Sequence, residues 1–326
     1  MPSGSDRTPV PFDRYMEDAL YGANGFYTSQ GFAGRRGDFI TSPEVGPLFG
    51  AVVARFLDEE WRRAGQPAKF NLFEVGAGPG TLARTVFAAQ PACMPALRYV
   101  AVERSDTQRL RHPDGVESLA SLPEGELRGV VFANELLDNL PFRLAVFDGG
   151  WRESYVVDRQ EVLSTAFDPC PAQLPERPTH GARAPLVGSA TAWVDDVLGR
   201  LHGVLVAIDY FAPTTASLAA RPWREWLRTY RGHERGGHYL ADPGTQDITC
   251  EVPIDQLPEP HAVRSQAQWL GLNGIDELVD EGRAYWVEHA SRPDTTALRM
   301  RSRVAEREAL VDGAGLGSFL VLEWRR

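Results

Sequence analysis

Six side chains, Glu74, Glu103, Asn134, Glu135, Asp138 and Asn139, stand at or just beyond the ends of apolar runs in this chain. The first run, Asn71-Leu-Phe-Glu-Val-Gly-Ala-Gly-Pro-Gly80, places Glu74 two residues before three glycines, Gly76, Gly78 and Gly80, at every second position. Glycines so spaced let the backbone approach a ligand closely, at the carboxyl end of a strand and the start of a helix. The spacing admits two registers. From Gly78 it reads Gly-Pro-Gly-Thr-Leu-Ala83, an acceptable dinucleotide fingerprint with alanine in the last place. From Glu74 it reads Glu-x-Gly-x-Gly-x-Gly, the first motif of enzymes that bind S-adenosylmethionine.

The acids separate the two. A carboxylate at Glu74 suits the ammonium of a methionine moiety and would be repelled by a pyrophosphate. Glu103, twenty-three positions after Gly80, can hold ribose hydroxyls in either register. The third cluster, Ala133-Asn134-Glu135-Leu-Leu-Asp138-Asn139-Leu-Pro141, puts two carboxylates and two amides directly after a buried strand. A helix cap would explain Asn134 or Asp138 singly, but not the whole group. Methyl transfer demands that a nucleophile be aligned with a sulfonium, and it needs no metal. Glu135 and Asp138, one helical turn apart, could clamp such a nucleophile while Asn134 positions it.

These residues need a scaffold. Strands expected at Leu72–Val75, Leu97–Glu103 and Gly129–Ala133, with a helix over Thr81–Ala89 and another from Asp106, imply βαβ units and a parallel sheet. Upstream, Phe12 to Leu20 keeps helical spacing. Ser42 and Pro43 then open a helix expected to run through Val45, Leu48 and Phe56 to Trp61 and to end at Gly65. A hairpin is expected around Asp148-Gly-Gly150. Residues 168–188 read as a connector, Val204–Tyr210 as a further core strand, and 221–253 as a folded insertion without a clear period. Helices near Gln266 and Val304 and a final strand at Phe319–Trp324 complete the pattern. The expected division is 1–66, N-terminal helices and a lid loop; 67–167, a cofactor-binding half; 168–265, connector, core strand and substrate-side insertion; and 266–326, elements that complete the sheet.

With 326 residues, 43% of them hydrophobic, the chain can bury a large core. A net charge of -10 argues against a nucleic-acid surface. Three widely spaced cysteines indicate neither a disulfide framework nor a metal site. The first residues lack the apolar core of a signal peptide, and no run reaches the roughly 18 apolar residues of a membrane span. The expectation is a soluble cytoplasmic protein with no membrane or nucleic-acid partner.

Beside these motifs stands Gly37-Asp-Phe-Ile-Thr-Ser-Pro-Glu44, followed by Leu48-Phe-Gly50. Together with Tyr15-Met16, Ala19-Leu-Tyr21, Gly25-Phe-Tyr27, Asp209-Tyr210, Leu227-Arg228-Thr-Tyr230, His233 and Gln246-Asp-Ile-Thr249, in that order, they make the chain resemble the MidA family of methyltransferases. The resemblance implies an α/β fold: a Rossmann-like, seven-stranded class I methyltransferase sheet with an N-terminal helical extension and an inserted substrate-side subdomain. It implies S-adenosyl-L-methionine as cofactor and S-adenosyl-L-homocysteine as product, held by Gly37, Asp38, Thr41, Pro43, Glu44, Glu74, Gly76, Gly78, Gly80 and Glu103. It implies Asn134, Glu135, Asp138 and His233 on the catalytic side, His233 as a base or as a structural residue. The implied reaction is N-methylation of a protein arginine, with a respiratory complex I subunit as the substrate to which the family points. The sequence departs from the family at Glu225-Trp226 and at Cys250-Glu-Val-Pro-Ile254. Three other readings therefore stay open: a small-molecule O- or N-methyltransferase, a cofactor-binding assembly factor with little catalysis, and, from the Gly78 register, a dinucleotide oxidoreductase.

Overall fold

The computed structural model describes residues 8–29, 41–232 and 234–326. Helix α1 (Phe12–Tyr21) buries Phe12, Tyr15, Met16, Ala19 and Leu20, the face its spacing predicts. The helix expected from Ser42 to Trp61 is instead two, α2 (Ser42–Val45) and α3 (Pro47–Arg63), broken at Gly46. A Cβ at Gly46 would lie 2.3 Å from the Glu306 carboxyl carbon, and that carboxylate accepts from the Leu48 amide at 2.8 Å. A buried acid from the far end of the chain thus caps α3 and fixes the break. Ser42 is no cap either. Its hydroxyl donates to Gln266 Oε1 at 2.8 Å, inside the core.

The main sheet follows from here: β1 (Phe70–Val75), α4 (Thr81–Ala89), β2 (Leu97–Val102), β3 (Val116–Leu119) and β4 (Leu127–Asn134). After the hairpin β5 (Arg143–Phe147) and β6 (Trp151–Val157) come β7 (Gln160–Ala166) and β8 (Arg183–Leu186). Helix α5 (Gly188–Arg200) returns the chain to β9 (Leu201–Asp209). Strands β10 (Leu227–Arg231) and β11 (Asp247–Cys250) pair antiparallel in the insertion. The chain closes with β12 (Ala262–Ser265), α6 (Gln266–Leu272), α7 (Ile275–His289), α8 (Thr295–Val311) and β13 (Leu320–Arg325).

Seven strands form the main sheet in the order β12-β13-β9-β4-β1-β2-β3, with β13 antiparallel to both its neighbours. Successive side chains of β1 point to opposite faces, as the strand period requires. Phe73 and Val75 join a core shared with α1 and α5, while Phe70 and Leu72 join one shared with α3 and α6. Both faces are covered, which is why the parallel strands read as continuous apolar runs. Strands β5 to β8, with Val10–Pro11, make a second, five-stranded sheet.

Candidate active site

The chain reverses its direction across the sheet between β1 and β4, so a crevice opens beyond their carboxyl ends. Register brings the sequence clusters to one edge. Val75 pairs with both Val102 and Ala133, and Asn134 with Ile208. A cavity of about 450 Å³ lies at this edge, and Thr41, Pro43, Glu44, Glu74, Gly76, Gly78, Glu103, Asn134 and Glu135 line it. Gly37, Asp38 and His233 lie outside the described residues.

The glycine turn forms the floor. Gly76, Gly78 and Gly80 all have positive φ, the left-handed region that disfavours a side chain. A Cβ at Gly78 would meet nothing within 4 Å, so the backbone there faces open space. Gly80 does not line the cavity; it caps α4, and a Cβ would press on Pro113 at 2.9 Å. The Gly78 amide donates to Glu103 Oε2 at 3.0 Å, and the Ser105 amide to Oε1 at 2.8 Å. Each oxygen keeps a lone pair for a ligand hydroxyl. His112 braces the turn from behind, Nε2 to the Gly78 carbonyl at 2.9 Å. At the start of α4 the Thr81 hydroxyl donates to Glu44 Oε1 at 2.6 Å, which ties α2 to the turn.

Glu74 is 6% exposed, and the Tyr99 hydroxyl donates to its Oε2 at 2.7 Å. Burial pushes its carboxyl up to about 8, against the Tyr99 hydrogen bond, with Glu103 adding to the rise. Such a group gains from a cationic ligand. Sequence reasoning missed Tyr99, because an aromatic in a strand reads as core.

The part of the cavity beyond β4 is differently built. The residues after β4 form a single 3₁₀ turn, Leu137–Asn139, rather than an α-helix. Glu135 takes φ 52°, its amide donating to the Ile208 carbonyl at 2.8 Å. Asp209, fully buried at the end of β9, accepts from the amides of Leu136, Leu137 and Asp138 at 3.1, 2.8 and 3.3 Å. This convergence of backbone donors on one carboxylate sets the turn. The Glu135 side chain then faces the cavity, where Asn134 Nδ2 donates to its Oε1 at 3.1 Å. Burial, then the charge of Asp138, pushes the Glu135 carboxyl up to about 8.

The expected Glu135–Asp138 clamp does not form. Asp138 is 3% exposed and does not line the cavity; the Thr249 hydroxyl of β11 donates to its Oδ2, and Oδ1 has no partner among the described residues. A 3₁₀ turn after a left-handed residue directs the two side chains apart, where a helical turn would have aligned them. Asn139, which lines the cavity, donates to Asp247 Oδ1 at 3.0 Å and accepts from the Tyr27 hydroxyl at 3.2 Å. Tyr21 and Tyr27, stacked at 5.5 Å, form an aromatic wall beside it. Asn139, Tyr21 and Tyr27 all belong to motifs visible in the sequence, yet only the fold shows that they meet.

The strand order, the glycine turn and the acids on neighbouring strand ends define an α/β protein built to hold a nucleoside-containing cationic cofactor. The chain belongs to the S-adenosyl-L-methionine-dependent methyltransferase family, whose profile matches residues 52–272. S-adenosylmethionine is the cofactor, and the residues that would hold it are those of the floor: Glu74, the 76–80 turn and Glu103. A crystal structure of a superfamily member from Burkholderia thailandensis bound to S-adenosyl-homocysteine is 26% identical, with a TM-score of 0.81 over 98% of this chain and 88% of that one. Among curated proteins, the mitochondrial protein arginine methyltransferase NDUFAF7 of Mus musculus is 28% identical over 76% of this chain, and its Drosophila melanogaster homolog 27% over 75%. The chain spans 65% and 64% of those two proteins' lengths. These relatives are mitochondrial, which overturns the expectation of a cytoplasmic protein. Apolar runs are weak guides to compartment, since a mitochondrial protein can lack both a membrane span and a secretory signal.

Proposed function

We propose that the chain N-methylates an arginine side chain of a protein. The observation that carries this reading is Glu135: a carboxyl held in the cavity wall, bonded to an amide, and paired with no cationic side chain among the described residues. Asp138, Asp209 and Asp247 stand behind it. Burial raises all four carboxyls, and the charge of Asp138 adds to the rise in the other three, so the wall gains from a cation such as a guanidinium. Transfer breaks a sulfur–methyl bond, whose electrons stay on sulfur, and forms a nitrogen–methyl bond, so one proton must leave the guanidinium. Glu135, raised to about 8, is mostly protonated at pH 7 until a cation arrives. In the carboxylate form that a guanidinium favours, it orients the nitrogen and is placed to take that proton. Asn134 fixes the Glu135 carboxyl, and Tyr27 stands on the same cavity wall, stacked on Tyr21, whose ring already carries the Arg104 guanidinium. Curated relatives named as protein arginine methyltransferases support the reading. A respiratory complex I subunit is the substrate to which the family resemblance points.

The test is to incubate the purified chain with methyl-labelled S-adenosylmethionine and a cell lysate, then map label by mass spectrometry. Methylarginine in a protein band supports the proposal. Label confined to small molecules, or on another residue type, rejects it.

A further inference from the structure

We propose that Gln108 reads the nucleobase of the cofactor, its side-chain amide hydrogen-bonding the exocyclic amine of adenine. Gln108 sits in the short helix Asp106–Arg109, five residues beyond Glu103, and lines the same cavity. It is 6% exposed, and its Oε1 has no hydrogen-bond partner among the described residues. A buried carboxamide oxygen without a donor is costly, and native structures rarely leave one so. A donor supplied by a ligand would remove that cost.

The surroundings say which donor. Glu103, its carboxylate turned to the Gly78 and Ser105 amides, marks the ribose end of the cavity. Gln108 lies on the same segment, and the cavity wall after β3 is Ala120, Ser121 and Leu122, whose side chains offer a single hydroxyl. Trp193 of α5 adds a flat apolar surface to the same cavity. Ala120, Leu122 and Trp193 supply apolar faces, the Asp196–Arg200 pair shares the wall with Trp193, and Gln108 supplies the carboxamide with the unpartnered oxygen, a set that suits a purine. A glutamine amide can pair with adenine's 6-amino group and N7 together, accepting from one and donating to the other. The neighbouring arginines are engaged elsewhere: Arg109 donates to the carbonyls of Glu103 and Arg104, Arg104 pairs with Glu17, and Arg200 pairs with Asp196 and donates to the carbonyls of Pro123 and Gly125. The inference rests on the cofactor assignment and not on the identity of the methyl acceptor.

Calorimetry with two probes tests it: S-adenosylhomocysteine, and its analogue lacking the purine 6-amino group. The wild-type chain is measured first. Absence of binding to S-adenosylhomocysteine would defeat the cofactor assignment itself, and this inference with it. The expected result is that wild type prefers the amino form about tenfold, the value of one good hydrogen bond. Gln108→Leu should bind both probes equally, and no tighter than wild type binds the analogue, since the leucine also lacks the donor to N7. Gln108→Glu keeps the acceptor oxygen in the same shape and should keep the preference, which leaves a decisive variant if the leucine form misfolds. A preference that survives in Gln108→Leu, or disappears in a folded Gln108→Glu, overturns the assignment.

Discussion

The two halves of the cavity are held by different kinds of contact. On the cofactor side, the parts lie close in sequence: Glu74, the 76–80 turn, Glu103 and His112 span fewer than forty residues, and Glu103 is fixed by backbone amides. On the acceptor side, apart from the Asn134–Glu135 contact, the fixed groups depend on distant ones. The 135–138 backbone hangs on Asp209, Asp138 on Thr249, and Asn139 on Asp247. The first half is a local motif that any strand–turn–helix can carry. The second exists only when β9 and the β10–β11 insertion have closed over β4. Under the proposed assignment, cofactor recognition depends on a short segment, while acceptor recognition depends on the whole fold.

This contrast yields its largest expected effect at Gly78. Gly78→Val must adopt a left-handed backbone, at a cost of about 1–2 kcal/mol, and project a branched side chain into open space beside the turn. Cofactor affinity should fall at least about a hundredfold by calorimetry, with the circular dichroism spectrum retained. A folded variant that binds S-adenosylhomocysteine normally would show that the turn does not form the cofactor floor.

On the other side, Glu135→Gln should leave cofactor affinity within about threefold while slowing methyl transfer. One charge-assisted contact made to the reacting nitrogen contributes about 1.5–3 kcal/mol, a ten- to hundredfold change in rate. Single-turnover transfer to the labelled protein substrate is the measurement. Equal losses of affinity and rate would mean that the two halves are not separable.

What the sequence made legible follows the same division. The α4 boundaries, the β1 glycines and the β5–β6 hairpin were readable because local spacing and turn residues determine them. Gly46 was not, since its reason is Glu306, an acid 260 residues away. Nor was the direction of Asp138, because the left-handed Glu135 and the 3₁₀ turn answer to Asp209 on another strand. Helix α7 escaped as well; only Ile275, Leu278, Val279 and Gly282 of its fifteen residues are buried, too short a stripe to mark a period. Gln108 carries no sequence signal beyond its place after Glu103.

A smaller effect belongs to Glu74. With its carboxyl pushed up to about 8, it is mostly protonated at pH 7 before a ligand arrives. A cationic ligand favours the carboxylate, so binding at pH 7 should release close to one proton. Calorimetry in two buffers of different ionisation enthalpy measures this directly. Glu74→Gln should abolish the release and weaken binding by roughly tenfold, the loss of one charge-assisted bond. A release that persists in the variant would place the titrating group elsewhere.

The smallest effect, and the sharpest for the comparison, is expected at Asp138. Its carboxyl is raised to about 6, chiefly by burial and against the Thr249 hydrogen bond, whereas an unfolded aspartate titrates at about 3.9. The sign follows from those two values. A carboxyl whose folded pKa is raised costs the fold nothing when both states are protonated. The cost grows as pH rises from about 4 to 6 and is fully present above that. Asp138→Asn removes the charge from beside Asp209 and Asp247 while keeping an oxygen for Thr249. Its new amide hydrogens take the unpartnered Oδ1 position, so the gain stays well below the ceiling of about 1.4 kcal/mol for each tenfold change in acidity. Melting temperature should rise by a few degrees at pH 8, and the difference should shrink steadily as pH falls from 6 towards 4. Methyl transfer should stay near wild type, because the side chain does not line the cavity. A rate loss as large as that of Glu135→Gln, with no gain in stability at pH 8, would mean that Asp138 turns towards the acceptor when the site is filled.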